Sequence, residues 1–285
     1  DGQHRLWAFE EGNDEGDDLI NRLKSIQIPV VAFHGLDISW QAYLFYTINQ
    51  LPKKIDPSMV FDLYPLLRTE DWLLRFEGPN IYRESRAQDL VTTLWSHPAS
   101  PWYQRILRLG GREKGKVTQA AFIRSLLASF IKRWNPSGKG KIGGLFGASA
   151  QNHSIFLGWS REQQAAFLML VWQMLSDSLA QADTDWANDL LRQAGIESKV
   201  LESLPDEDRR VTLFSGVNSL SATDQGVRAY MVIVNDLLWL AEIEGAINLR
   251  QWSWERSADL SDEMAVSSAL ESLRNQLTAE KNFIK

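Results

Sequence analysis

Apolar residues recur with the period of an α-helix along most of the chain after residue 65. Between residues 118 and 134 they form one stripe: Ala121, Phe122, Leu126, Leu127, Phe130 and Ile131. Residues three, four and seven positions apart share one face of a helix, so the stripe predicts a helix with a buried face. The same pattern predicts helices at residues 39–49, 57–67, 160–180, 184–194, 223–244 and 261–281.

Several of these helices have residues suited to their ends. Ser160 and Gln163 have the spacing of a capping box, in which each side chain bonds the other residue's backbone amide. Pro57 suits a first helical turn because it needs no amide partner there. Gly195 suits the end of the helix at 184–194, since glycine readily adopts the left-handed conformation of a C-cap.

A small amount of β structure is predicted near the start. Residues 28–33 are rich in β-branched and aromatic side chains and are bounded by turn residues, which indicates a strand. Short helices are predicted at residues 3–11 and 18–26. We therefore expect an α+β fold that is strongly α-rich, with a small sheet in a first domain, 1–68, and a helical domain, 69–285.

Composition excludes several classes of protein. Of 285 residues, 44% are hydrophobic and 23% charged, as in soluble globular proteins. The absence of cysteine excludes disulfides, thiolate nucleophiles and cysteine-ligated zinc. The four histidines lack metal-ligand spacing, so no metal site is predicted. Residues 227–243 are the most apolar stretch but contain charged side chains, so we expect no membrane span and a cytoplasmic location.

The charge of the chain is unevenly distributed. Its net charge is −6, yet residues 105–141 contain ten basic residues and one acid. Such a block suits a nucleic-acid backbone, although loops of this composition are also often only solvated. The predicted DNA-binding residues are Arg108, Arg112, Lys114, Lys116, Lys132, Arg133, Lys139 and Lys141, with Trp134 as a surface for base stacking. The stretch SGKGKIGG (137–144) lacks the upstream glycine and preceding strand of an ATP-binding phosphate loop.

The chain opens on DGQHRLWAF, a polar row that feeds directly into apolar residues. Gly2 permits close backbone approach to a ligand, and amides at a helix start attract anions. Arg5 supplies a forked phosphate donor, and His4 suits acid–base chemistry. The row predicts a phosphate or nucleotide site, with a solvated helix start as the alternative.

The opening row resembles the signature of the DGQHR-domain family, which includes the DndB proteins of DNA phosphorothioate modification systems. It is more distantly similar to the nucleotide-binding turns of the ParB/sulfiredoxin superfamily. Three further stretches resemble the family in the same order: LFYTINQLPKKIDPSMVFDLYPL (44–66), VTQAAFIRSL (117–126) and SLSATDQGVRAYMVIVNDLL (219–238). Together these stretches span most of the chain.

The resemblance implies roles for individual residues. The residues assigned to a nucleotide are Gly2, Gln3, Arg5, Asn49, Lys53, Lys54 and Arg228, and the catalytic pair is Asp1 and His4. Lys53 and Lys54 are otherwise explained as a solvated loop, and Arg228 as an ion-pair partner of Asp224 or Asp236. In the family, strands precede the DGQHR turn, so we expect this chain to begin within its ParB/sulfiredoxin-like sheet.

The resulting hypothesis is an accessory or regulatory protein of a DNA modification or phage-defence system. It would bind ATP or another nucleoside triphosphate, with or without Mg²⁺, contact DNA through the basic segment, and work with other proteins of the system. One alternative is an enzyme, either a ParB-like nuclease or the ATPase partner of a DNA base-modifying enzyme. The other is a transcriptional repressor whose DNA binding is independent of nucleotide. Whether the chain catalyses a reaction stays open at this point.

Overall fold

The computed structural model describes residues 33–50, 57–62, 78–109, 111, 113, 116–134, 142–149 and 154–279. The predicted helices at 3–11 and 18–26 and the predicted strand at 28–33, apart from Phe33, lie outside these residues. The N-terminal ParB/sulfiredoxin-like sheet therefore stays a prediction. Residues from 38 onward form one compact unit, and the boundary expected between residues 68 and 69 lies outside the described ranges.

Helices dominate the part of the chain that the structure describes. They are α1 (Ile38–Gln50), α2 (Pro57–Asp62), α3 (Gly78–Ser96), α4 (Gln119–Ala128), α5 (Arg161–Ala180), α6 (Asp185–Gln193), α7 (Asp206–Leu213), α8 (Asp224–Ile243) and α9 (Asp262–Ala279). Two short strands, β1 (Ile106–Leu107) and β2 (Val117–Thr118), pair in parallel, with Ile106 opposite Val117. The prediction of a strongly α-rich chain is confirmed for these residues.

Helix ends follow the capping residues that the sequence offers. Ser160 and Gln163 form a complete capping box, with bonds of 3.0 and 3.3 Å between each side chain and the other residue's amide. The Thr223 hydroxyl accepts a hydrogen bond from the Gly226 amide, so α8 begins at Asp224. Gly195 adopts a φ of +88° just beyond α6, as expected of a C-cap glycine.

Helix α4 ends six residues earlier than the apolar stripe predicts. The side chain of Ser129 donates to the Ser125 carbonyl, and the Ile131 amide bonds back to the Leu126 carbonyl. Ser129 leaves the helical conformation, with φ −125° and ψ −102°. Phe130 and Ile131 are nevertheless buried, so the stripe identified core residues correctly but placed the last of them in the wrong backbone conformation.

The core is built around α4 and α5. Helix α4 packs against α3 and α8, whereas α5 packs against α3, α7 and α9. An aromatic cluster lies among these helices: the Trp102 ring centroid is 4.8 Å from that of Phe122 and 5.1 Å from those of Trp172 and Phe214. All four side chains are almost fully buried, and aromatic pairs with this spacing contribute beyond the area that they bury.

Arginines of α3 bind the backbone that leaves α4. Arg83 donates to the carbonyls of Leu127 and Ile131, at 3.3 and 3.2 Å, and so satisfies groups at the end of α4. Arg86 donates to the Phe146 carbonyl and to the Gln164 side chain. These bonds fix α4 and the segment around Phe146 to α3.

A partly buried phenol joins α8 to α5. The Tyr230 hydroxyl donates to the Val171 carbonyl at 2.7 Å. Burial raises the pKa of Tyr230 to about 12 because the phenolate would lose its hydration there. The folded state thus holds this proton more tightly than the unfolded chain does, whose tyrosines titrate near pH 10.

We predict that Tyr230 makes the fold sensitive to alkali. Because its pKa is raised in the folded state, its contribution is fully present below about pH 10 and is lost as the pH rises through about 12. Tyr230→Phe should be about 1 kcal/mol less stable at neutral pH, through loss of the hydrogen bond. Urea unfolding at pH 7 to 11.5 should show this gap closing above pH 10, and a constant gap would contradict the prediction.

Candidate nucleic-acid interface

Many of the residues singled out by sequence lie outside the described ranges. They are Asp1, Gly2, Gln3, His4, Arg5, Lys53, Lys54, Arg112, Lys114, Lys139 and Lys141. Asn49 belongs to α1, but its side chain is not described. The structure describes the side chains of Arg108, Lys116, Lys132, Arg133 and Arg228. The contacts of each side chain decide whether it is available to bind a ligand.

A cleft of about 400 Å³ lies at the N-terminal end of α4. Its walls come from the start of α2, the β1–β2 pair, the first turns of α4 and the start of α8. The lining residues are Pro57, Leu107, Glu113, Lys116, Thr118, Ala120, Arg124 and Asp224. Two cationic side chains, Lys116 and Arg124, and two carboxylates therefore face one cleft, and Lys116 is among the predicted DNA contacts.

The two cations of this cleft differ in their partners. The Lys116 ammonium lies 2.8 Å from the Glu113 carboxylate, and both side chains are exposed. Exposed pairs of this kind contribute little to stability and are screened by salt, so Lys116 can exchange this partner for a phosphate at small cost. Arg124 is exposed, and no described carboxylate pairs with it. Its guanidinium is therefore available to a ligand.

The backbone amides at the start of α4 are already satisfied. The Ala120 amide donates to the Ser58 hydroxyl of α2 at 3.3 Å, and the Ala121 amide donates to the Thr118 side chain at 3.2 Å. A helix start binds anions mainly through backbone amides that have no other partner, and these two amides already have one. An anion in this cleft would accordingly contact the side chains of Lys116 and Arg124 rather than the helix backbone.

Two basic residues of the segment support the protein itself. The Arg108 guanidinium lies 4.7 Å from the centroid of the Trp95 ring and is half-buried, a cation–π contact. Arg105 donates to the Ser215 hydroxyl. Arg108, predicted to bind DNA, thus has a structural role in fixing the start of the loop after β1.

A second basic group follows α4. The Lys132 ammonium lies 3.9 Å from the Asp236 carboxylate, whereas Arg133 is exposed and has no described carboxylate partner. Burial, and then the nearby charge of Arg133, hold the pKa of Arg83 below its ordinary value. Lys132 and Arg133 thus lie beyond the end of α4 near the Asp236 carboxylate, about 15 Å along the ten residues of the helix from its start.

The end of the glycine-rich stretch is a packing element. Asn235 of α8 is fully buried, donates to the Gly143 carbonyl at 2.9 Å and accepts from the Leu145 amide at 3.0 Å. A Cβ atom on Gly144 would stand 2.4–2.6 Å from backbone atoms of residues 129–132. Gly144 is thus required for close backbone approach.

Trp134 is packed inside this region and does not present a stacking surface. Its ring centroid is 6.2 Å from that of Phe156 and 5.9 Å from that of Trp239, and only part of the side chain reaches solvent. The prediction that Trp134 stacks on a base is wrong for this arrangement, because these aromatic contacts place the ring against the core.

Arg228 and Gly226 lie on the first turns of α8. Arg228 is exposed, and within the described part of the chain neither Asp224 nor Asp236 forms an ion pair with it. Its assignment to a nucleotide stays a prediction. A Cβ on Gly226 would be 1.8 Å from the Leu220 carbonyl oxygen, so glycine is required there for packing.

The structure therefore divides the basic segment into two groups at the two ends of α4. Lys116 and Arg124 stand at its start, and Lys132 and Arg133 follow its end. Sequence reasoning counted Arg124 in the charge of the segment but did not assign it to DNA. Its position opposite the buried face of α4, where Phe122 and Leu126 lie, was the signal that could have identified it.

Two absences hold for the described part of the chain, and a third concerns known proteins. No group of three or more His, Asp or Glu side chains there is placed to hold a metal ion. None of its helices combines the length and apolarity needed to cross a membrane. No protein-family model, no curated protein and no solved structure matches the chain as a whole.

We predict that Gly144→Ala destabilises the protein by about 2–4 kcal/mol, because the added methyl group would collide with backbone that cannot move freely. Gly158→Ala is the matched control: nothing lies within 4 Å of its Cβ position, and its backbone has no positive φ. Thermal and urea unfolding of both variants measure the effect. Equal stability of the two would show that Gly144 is not closely packed.

Proposed function

We propose that this protein is a DndB-like DGQHR-domain protein of a DNA modification or phage-defence system. It binds a nucleoside triphosphate at the DGQHR turn and DNA through the basic segment, and hydrolysis gates the DNA contact. The observation that carries the proposal is the opening row, residues 1–5, with three further matching stretches in the family's order. The charge of residues 105–141 supports the DNA contact independently.

The surroundings of the cations indicate which of them would contact the DNA backbone. A guanidinium without an intramolecular partner can bind phosphate without first breaking an ion pair, and Arg forms bidentate bonds to phosphate oxygens. Arg124 and Arg133 meet this condition among the described residues. Arg105 and Arg108 are engaged with Ser215 and Trp95 and support the loop instead.

This arrangement favours contact with the DNA backbone over direct base recognition. Charged side chains on phosphates position a protein on the duplex but carry no sequence information. We therefore assign any sequence or modification preference to parts of the interface beyond Lys116, Arg124, Lys132 and Arg133. The remaining functional assignments, including the pair Asp1 and His4, depend on the resemblance alone.

We predict that Arg124→Ala weakens DNA binding about tenfold at moderate salt, the effect of losing about 1.4 kcal/mol from one charge-assisted contact. The slope of log affinity against log salt should fall by about 1, because one phosphate contact is lost. Fluorescence anisotropy with a labelled duplex measures both quantities.

Arg192→Ala is the matched control for Arg124→Ala. Arg192 is also an exposed helical arginine, but it lies on α6 and pairs with Asp189 at 2.6 Å. Its loss should leave the affinity and the salt slope unchanged. Equal effects of the two substitutions would mean that the cleft at α4 is not the DNA contact.

For the nucleotide site, we predict saturable binding of a nucleoside triphosphate that Arg5→Ala abolishes. Calorimetric titration of ATP, CTP and GTP with Mg²⁺ into the folded full-length protein and the variant measures it. Arg192→Ala again serves as the control for the loss of one positive charge.

No nucleotide binding by the folded protein, with DNA binding intact, would favour the repressor alternative. Metal-dependent nicking of DNA that His4→Ala abolishes would favour the nuclease alternative. Nicking that persists in that variant would indicate contamination.

A further inference from the structure

The outward side of α8 is apolar along most of its length. Four aliphatic side chains there are between 42% and 62% exposed: Ile233, Leu237, Leu240 and Ile243. Their spacings of four, three and three residues place them on one face of the helix, and we call this row the α8 stripe. The opposite side of α8 packs against α4 and carries the buried Val227, Met231 and Trp239. The α8 stripe therefore lies outside the described core.

The acidic side chains within this part of α8 have partners inside the protein. Asp236 lies 3.9 Å from the Lys132 ammonium. Glu242 accepts a hydrogen bond from the Leu249 amide at 2.6 Å and lies 3.1 Å from the Arg250 guanidinium. Both carboxylates are directed toward these partners, so the exposed surface between residues 233 and 243 is mainly aliphatic.

The apolar surface continues into the turn before α8. Leu220 is 70% exposed, and its carbonyl oxygen would stand 1.8 Å from a Cβ atom on Gly226. Gly226 lies seven residues before Ile233 and therefore on the same face of the helix. Leu220 thus crosses the first turns of α8 and extends the α8 stripe. Contiguous apolar surface of this kind marks places where a protein meets another surface.

Two opposite charges flank the α8 stripe. Arg228 is exposed near the start of α8, and Glu244 is exposed at its C-cap. Within the described part of the chain neither side chain forms an ion pair. They are separated by about 24 Å of helix. The midpoint between them, residue 236, lies within one turn of the midpoint of the stripe, residue 238, so the charges stand almost symmetrically about the apolar residues.

Such a surface is complementary to itself. An interface with two-fold symmetry uses the same patch on both copies, so the patch has to match its own rotated image. When two copies of α8 lie antiparallel, the two stripes meet and each Arg228 comes close to Glu244 of the other copy. We propose that the protein forms a homodimer in which α8 pairs antiparallel with α8 of a second copy.

Other occupants match this surface less well. Helices that lie on a lipid surface carry Lys and Arg on their polar side, whereas Arg228 is the single basic residue of α8. A strongly acidic or basic peptide would be attracted at one end of the stripe and repelled at the other. A second copy satisfies both ends, because its charges run in the opposite direction.

The size of the surface predicts a reversible dimer. A helix of this length is about 30 Å long and 10 Å wide, which is less than the roughly 800 Å² per partner of a standard protein interface. We therefore expect monomer and dimer to exchange at micromolar concentrations. The dimer does not depend on the proposed DNA or nucleotide binding.

Analytical ultracentrifugation of the full chain, without DNA or nucleotide, tests the proposal at about 1 to 200 µM protein. Leu237→Glu places a carboxylate near the two-fold axis, where two copies of it would face each other. The matched control is Met264→Glu, since Met264 is also an apolar helical residue, 56% exposed on α9. Arg228→Glu, Glu244→Arg and the double exchange test the direction of pairing.

We expect wild type and Met264→Glu to dimerise with the same Kd, and Leu237→Glu to raise the Kd at least about tenfold. Each single charge exchange should raise the Kd about fivefold, because a like-charge pair replaces an ion pair at both ends of the interface. The double exchange should return the Kd to within about twofold of wild type. All variants should unfold at the wild-type temperature, since these side chains are exposed.

Three results would overturn the inference. A wild-type protein that stays monomeric throughout the range has no such dimer. Equal dimerisation of wild type and Leu237→Glu would place the interface elsewhere. If Leu237→Glu dissociates the dimer but the double charge exchange does not restore what the single exchanges lose, α8 does not pair antiparallel with its own copy.

Discussion

The buried amide of Asn235 is the interaction on which the arrangement around α4 depends. It accepts from the Leu145 amide and donates to the Gly143 carbonyl, and so fixes the segment after residue 141 to the middle of α8. That segment passes so close to the backbone leaving α4 that only glycine fits at position 144. A fully buried side-chain amide without hydrogen-bond partners would lower the free energy of unfolding by about as much as several surface contacts raise it. The hydrogen bonds of Asn235 to Leu145 and Gly143 therefore form together. With Arg83 of α3 binding carbonyls at the end of α4, the helix is held between α3 and α8.

A fixed α4 determines where the exposed charges of the basic segment lie. Its start is joined to α2 by the hydrogen bond between Ser58 and the Ala120 amide, and this bond also removes a free amide from the cleft. The cleft therefore presents side-chain charges of both signs, two basic and two acidic, and few backbone donors. Contacts of this kind are strong at low salt and weak at high salt, because each releases counterions from the nucleic acid. The proposed interface is therefore suited to binding the phosphate backbone of a nucleic acid. Its orientation is set by α4, the helix that carries Arg124.

Sequence predicted this fold best where a helix carries its own end signals. The capping box at Ser160 and the threonine at Thr223 placed α5 and α8 almost to the residue, because the bonds that end a helix are local. The end of α4 depends instead on Ser129 and on tertiary packing, which sequence patterns do not show. The strands β1 and β2 are too short to show an alternating pattern of apolar and polar residues. The basic segment was evident from counting charges, whereas its division into engaged and available arginines requires tertiary structure. Arg108 and Arg124 look equivalent in the sequence, yet one lies on Trp95 and the other faces solvent.

The two glycine-containing loops of the basic segment obey different constraints. At Gly144 the fold demands a residue without a side chain, and the sequence provides one, since any Cβ atom would meet backbone. At Leu109 the backbone favours glycine by its positive φ, and the sequence provides a leucine that points into solvent. Folding stability alone explains the first choice and opposes the second. Residues that lower local stability are found most often where a protein binds its ligand, because the free energy of binding offsets the folding free energy that such residues lose. Leu109, rather than Gly144, is therefore the position of these two at which folding stability does not explain the residue.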